Sequence, residues 1–202
     1  MSETAGPDAA ELVELLRKSL SQSAALIART GPGQLADSTP CNQFDVEELM
    51  GHMHFAAERV ARAGRRLPLG EDAETAPTPP AGELPAAFEK AAADALEAWS
   101  APEAMEGEIV LPFGTFPAAV VAQIYVIEQA THAFDLAVAT GARGVLDEEL
   151  ATVVLPIATA SIRPEYRGGE PMPFAAAVEV PPGAPAYDRL AGFMGRSPEW
   201  AG

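Results

Sequence analysis

The sequence predicts an all-α fold, a helical bundle with a short β-hairpin insertion and an irregular C-terminal tail. Apolar residues recur at three- and four-residue steps over most of the first 160 positions. Alternation of apolar with other residues is confined to one stretch around Ile109 to Phe116. Beyond Arg163, frequent Pro and Gly break up the periodicity. Helices that each carry one apolar stripe bury it against one another, and the result is a bundle.

The first helix runs from Asp8 to about Arg29, with Leu12, Leu15, Leu16, Leu20, Leu26 and Ile27 on its stripe. Gly31, Pro32, Gly33 and Pro40 then make Gly31 to Gln43 a loop, and long loops in compact domains are often functional. The second helix has a marked start: Asp45 caps it, Glu48 is the capping-box partner three residues on, and Phe44 can staple onto Leu49. It is expected over Val46 to about Arg65. The Pro-rich stretch Leu67 to Gly82 reads as a surface linker, and an alanine-rich third helix follows over Glu83 to Trp99. Between Ala101 and Pro117, Ile109, Leu111, Phe113 and Phe116 are punctuated by Gly107, Pro112 and Gly114, which predicts a hairpin. Pro117 suits the first turn of a fourth helix that ends at Thr140, before Gly141. A fifth helix over Asp147 to Ser161 is weakened by Pro156 inside it. Residues 1–162 are thus expected to form the bundle domain and 163–202 a Pro/Gly-rich tail packed on it, with one short helix near Asp188 to Met194.

Composition narrows the function. The chain has 202 residues, 48% hydrophobic and 21% charged, which is globular rather than disordered. Its net charge of −16 argues against nucleic acid as a partner, because phosphate binding relies on clustered Lys and Arg. The densest basic run, Arg59, Arg62, Arg65 and Arg66, reads as a solvated helix face. The N-terminus lacks a basic region followed by an apolar core, and the most apolar run, Ala118 to Ile127, is too short to cross a bilayer. With Cys41 as the single cysteine there is no internal disulfide framework, so a cytoplasmic protein is expected. A homodimer is compatible with the sequence.

Chemistry concentrates on the fourth helix. At 3.6 residues per turn Glu128 and His132 lie about 40° apart, and Asp135 about 20° to the other side of Glu128. Val121, Ile124, Ile127, Phe134 and Leu136 make the helix apolar on nearly every other side. A carboxylate and an imidazole buried there must be paired, hydrogen-bonded or metal-bound. An ion pair or a satisfied core histidine would use the same spacing as a chelating Glu-x3-His. On the second helix His52 and His54 are about 200° apart, so one of them at most joins such a site. His52 lies near the buried stripe of Leu49 and Met53, whereas His54 faces Glu47, Glu58 and Arg65, and His52 is the better candidate. Two imidazoles and a carboxylate leave a position open on a divalent ion, as catalytic zinc sites do. Cys41 is either a small packed residue or a redox thiol near the site mouth. Arg163, Arg167 and Arg189 are candidates for holding an anionic substrate, and Trp99 and Trp200 for packing.

The segment Thr39-Pro40-Cys41, Phe44-Asp45-Val46 and Leu49-Met50-Gly51-His52 resembles a signature of the mycothiol-dependent maleylpyruvate isomerase N-terminal domain family, within the DinB-like metal-binding superfamily. Glu128 to Leu136 looks like that family's Glu-x3-His-aliphatic-aromatic-Asp-Leu. Tyr187-Asp188-Arg189-Leu190 and Gly195-Arg196-Ser197-Pro198 resemble the tail of one uncharacterised branch of it. The resemblance implies a DinB-like four-helix bundle holding a divalent metal ion, usually zinc, through His52, Glu128 and His132. It also implies mycothiol or another low-molecular-weight thiol as co-substrate and a small electrophilic substrate, hence a thiol-dependent S-transferase or isomerase. The isomerase itself carries a second domain of sterol-carrier type, which the tail 163–202 cannot supply. From another class, the alternative is a non-catalytic metal- or ligand-binding module acting in stress response or through a protein partner.

Overall fold

A computed structural model describes residues 6–69, 78–168 and 174–201. Six helices and one two-stranded sheet appear in the order α1 (Ala9–Arg29), α2 (Val46–Gly64), α3 (Leu84–Ser100), β1 (Glu108–Leu111), β2 (Gly114–Pro117), α4 (Ala118–Ala139), α5 (Glu148–Ser161) and α6 (Ala186–Phe193). Helices α1 to α4 form the bundle: α2 packs on α3 and α4, and α1 packs on α3 and α4. Helix α5 lies against α4 and α1, and α6 packs on α5 and α4. Residues 70–77 of the stretch expected as a surface linker, and 169–173 of the tail, lie outside the described residues.

Local chemistry sets the helix ends. Asp8 and Glu11 form a capping box on α1, and Asp45 and Glu48 form one on α2. The latter is closed by Glu48 N–H to Asp45 Oδ1 at 2.9 Å and Asp45 N–H to Glu48 Oε2 at 3.1 Å. Gly141, at φ +69°, ends α4 in a left-handed turn whose Ala142 N–H reaches back to the Ala137 carbonyl at 2.7 Å. The hairpin pairs Leu111 with Gly114 and Glu108 with Pro117 and buries Ile109 and Leu111. Helix α5 continues through Pro156. Its first turn is held by Asp147, which caps both Glu149 and Leu150, and its apolar side Leu150, Ala151, Val154, Ile157 and Ala158 is buried. Burial of that face holds the helix together although Pro156 deletes one bond of its ladder.

Two residues depart from the sequence reading. His54 is 7% exposed rather than on a charged side, and Arg59 is 9% exposed rather than solvated. Both follow from α2 being flanked by α3 and α4, which buries 12 of its 19 residues. Arg59 is packed with its guanidinium over the Phe55 ring, 5.4 Å from the centroid, and bonded to Tyr125 of α4. Burial lowers the His54 pKa, and the charge of Glu58 opposes that in part.

The α2/α3 contact is close enough to be tested. Trp99 Nε1–H donates to the Val60 carbonyl at 2.7 Å, and a Cβ on Gly64 would lie 2.9 Å from Ala98 Cβ and 3.0 Å from the Trp99 ring. Neither neighbour is a flexible side-chain end. Gly64→Ala is expected to cost about 1 kcal/mol or more in urea unfolding, despite the helix-propensity gain. Gly82→Ala, whose Cβ would meet nothing within 4 Å, is the control and should stay within about 0.5 kcal/mol of the parent.

Candidate metal centre

The cap at Asp45 sets the phase of α2, and two turns later His52 faces α4. A buried polar tie sets the register of the two helices. Ser23 Oγ–H donates to Gln129 Oε1 at 2.8 Å, and Gln129 Nε2–H donates to the Met53 carbonyl at 3.2 Å. One side chain thus joins α1, α4 and α2 between Met53 and Glu128, next to the candidate ligands on both helices.

The structure brings the three expected residues together. His52 Nε2 lies 2.8 Å from Glu128 Oε1, and His132 Nε2 lies 3.6 Å from the same oxygen. One ligand atom from each of the three residues lies within 4.8 Å of the other two. The imidazoles meet edge to face, with centroids 4.8 Å apart at 81°. Phe44 stacks on His52 at 4.8 Å and 24° and turns an edge to His132. The His52 and Glu128 side chains remain 27% and 37% exposed, so the cluster faces solvent on one side. His54 takes no part in it.

Asp135 is fully buried and is not one of these three donors. Its Oδ2 accepts from His132 Nδ1 at 3.0 Å, so Nε2 of His132 is the nitrogen turned toward Glu128. Metal-binding histidines characteristically give their second ring nitrogen to such a carboxylate. Arg196 completes the arrangement, with Nη2 3.1 Å from Asp135 Oδ2 and Nε 3.3 and 3.4 Å from its two oxygens.

Electrostatics favour a cation at this point. Burial would raise the Glu128 carboxyl, but hydrogen bonds from His132 and His52 and their charges hold it well below the usual carboxylate range. Burial would lower His132, yet its bonds to Asp135 and Glu128 carry it up to about 10. Without metal, His132 is therefore an imidazolium between two carboxylates at neutral pH. A divalent ion would take the place of that proton, and the donor set of two imidazoles and one carboxylate suits zinc.

A second set, Cys41, His132 and Asp135, also lies within 4.8 Å. It fits a cation less well, because Arg196 already neutralises Asp135 and His132 Nδ1 is engaged. Cys41 is buried in a tight turn, where Thr39 Oγ1–H donates to its carbonyl at 2.9 Å. The arginines considered for an anionic substrate are held elsewhere. Arg163 pairs with Glu165, Arg167 lies over Phe193 and donates to the Ala175 carbonyl, and Arg189 lines a groove against α5. Arg196 entered the sequence reading only as part of a tail motif. Nothing in residue spacing links it to Asp135, 61 positions away.

Residues 16–137 match the mycothiol maleylpyruvate isomerase N-terminal domain, a span that holds α2, the hairpin and all three candidate ligands. The chain belongs to that family. Two uncharacterised proteins from strains of Mycobacterium tuberculosis are each 37% identical to it over 174 residues, 86% of this chain and 91% of theirs. The crystal structure of the mycothiol-dependent maleylpyruvate isomerase superposes with a TM-score of 0.65 at 18% identity, covering 79% of this chain and 71% of that one. At that identity the likeness establishes the DinB-like fold alone. Within this family member the matched span ends before α5, α6 and Arg196, so part of the wall around the centre comes from outside it.

The tie at Gln129 gives a prediction. Gln129→Ala leaves the buried Ser23 hydroxyl and the Met53 carbonyl without that partner, and should destabilise the fold by about 1–3 kcal/mol. Because the register of α2 on α4 loosens, zinc affinity should fall with it. Chemical unfolding and chelator competition on the same sample check both, and a loss of stability with unchanged affinity would separate the tie from the centre.

Proposed function

We propose that the protein is a divalent-metal-binding, thiol-dependent enzyme of the isomerase or S-transferase class. In this reading His52, Glu128 and His132 hold zinc, and mycothiol or another low-molecular-weight thiol is the co-substrate. The observation that carries it is the set of three donors from two helices, backed by Asp135 and partly exposed to solvent. Family membership and the name of the structural neighbour support the thiol and the isomerase class.

A bound divalent ion would supply a Lewis acid that keeps a thiol ionised near neutral pH. The rest is done by the chain. Asp135 fixes the His132 ring, and Glu128 supplies the negative charge that sets cation against proton. Phe44 stacks on one face of the His52 ring and closes that side, which leaves approach to the exposed side of His52 and Glu128. A small electrophile and a thiol would enter by that side. A closed, structural site would need a fourth protein ligand such as Asp135 or His54, but Asp135 is engaged by His132 and Arg196 and His54 lies apart. This disfavours the non-catalytic module.

The test is direct. Zinc-loaded protein is incubated with mycothiol, or another cellular thiol, and a panel of small electrophiles including cis-alkene diacids, and products are followed by mass spectrometry. Conjugation or isomerisation should proceed faster than in His52→Ala by at least about tenfold. Equal rates across the panel would refute catalysis, and zinc binding without turnover would point to the binding module.

A further inference from the structure

We propose that Arg196 is a positioning residue of the centre, holding Asp135 and through it the His132 ring in the orientation that presents Nε2 to His52 and Glu128. The proposal rests on the reading that these three residues hold a divalent ion, and extends it to a residue outside the matched family span.

A carboxylate with no solvent exposure needs compensation on all its lone pairs. His132 Nδ1 provides one partner for Asp135, and Arg196 provides the others through Nη2 and Nε. A planar guanidinium fixes the plane of the carboxylate it grips, and that plane decides where Oδ2 meets the imidazole. The guanidinium is itself held, since Nη1–H donates to the Met194 carbonyl at 2.8 Å.

The backbone is shaped to deliver it. After α6 the chain turns at Gly195, where φ is +83° and a Cβ would lie 2.7 Å from Ala175 Cβ. Arg196 N–H then closes on the Ala191 carbonyl at 2.9 Å. A glycine turn of this kind ends a helix and re-aims the next side chain, here toward α4. Two residues later a separate clamp holds the tail. Arg143 Nη2 donates to the Pro198 carbonyl at 2.7 Å while its Nη1 pairs with Asp188 at 2.7 Å and its guanidinium lies 4.9 Å from the centroid of the Phe134 ring. Arg143 thus anchors the same segment without touching a candidate ligand, and is a control for tail anchoring alone.

The experiment compares wild type, Arg196→Gln, Arg196→Lys and Arg143→Gln. Zinc affinity is measured by competition with a chromophoric chelator, the absorption spectrum of the cobalt(II)-substituted protein reports ligand geometry, and circular dichroism confirms folding. Arg196→Gln is expected to lose about tenfold to a hundredfold in zinc affinity with an altered cobalt spectrum. Arg196→Lys should recover part of the affinity, because it restores charge without the fork. Arg143→Gln should stay within about twofold of wild type. Wild-type affinity and spectrum in Arg196→Gln, with zinc bound normally by the parent, overturn this proposal alone; so does an equal loss in Arg143→Gln. If Arg196→Gln does not fold, an unaltered cobalt spectrum and affinity in Arg196→Lys overturn it. A parent protein that binds no zinc overturns the metal reading and this proposal together.

Discussion

Glu128→Ala is expected to abolish tight zinc binding, and its effect should exceed that of His52→Ala. The Glu128 carboxylate is the one negative charge among the three donors, and its Oε1 is the atom both imidazoles approach, at 2.8 and 3.6 Å. Removing it leaves two neutral rings to bind a divalent ion and strips His132 of one of the carboxylates that stabilise positive charge there. Truncating one member of a partly buried charged set costs about 2–5 kcal/mol, which is roughly thirtyfold or more in affinity. Loss of His52 removes one neutral donor and the ring on which Phe44 stacks, while Glu128, His132 and Asp135 stay in place. About tenfold weaker binding, with melting temperature of the metal-free form little changed, is the expected result. The melting temperature is the sharper reading for His52, because its half-buried ring contributes little to the core. Chelator titration of both variants decides the order. Unchanged affinity in both would remove the centre altogether.

Much of this arrangement was legible one helix at a time. The Asp45–Glu48 box, the Gly141 stop and the hairpin at Ile109 to Phe116 are local, and local rules placed them within a residue or two. The Glu128–His132 spacing needs only the helical period, whereas the apolar stripe of α2 is no guide to which of its histidines meets Glu128, because His54 is the more buried of the two and His52 the one beside that carboxylate. What could not be read is what depends on more than one helix. His54 and Arg59 look solvated on a helical wheel of α2, but the neighbouring helices bury both, and Arg59 is bonded to Tyr125 of α4. Gln129 gives no sign of its role, since its partners Ser23 and Met53 lie in two other helices. Arg196 and Asp135 meet because a glycine turn after α6 brings the tail onto α4, and neither periodicity nor composition encodes that. Pro156 misled in the opposite direction: propensity weakens a helix there, and burial of the α5 apolar face outweighs the missing bond.

The second large effect is a change in the sign of the pH dependence when zinc is added. With ordinary pKa values, occupancy would fall only as pH drops from about 7 toward 5, when free histidines gain protons. The geometry moves that competition upward. His132, bonded to Asp135 and Glu128 with His52 and Cys41 close by, is raised from 6.5 to about 10 by those two carboxylates against its burial, so it carries a proton throughout the neutral range and must lose it for zinc to bind. For the metal-free protein, that raised value contributes stability fully present below pH 6.5 and lost as pH climbs toward about 10. Glu128, held below its ordinary 4.5, contributes stability present above that value and lost as pH falls below it. Metal-free protein should therefore be most stable between about pH 4.5 and 6.5 as far as these two groups decide it, and should melt lower at pH 8.5 than at pH 5.5. Zinc reverses the trend, because each increment of pH removes the competing proton and binding to the native form alone adds stability. Thermal melts at pH 5.5, 7 and 8.5, with and without zinc, should give a metal-induced rise in Tm that grows at each step. A rise of the same size at all three would contradict ligation by His132, and would place zinc on carboxylates of the acidic surface instead.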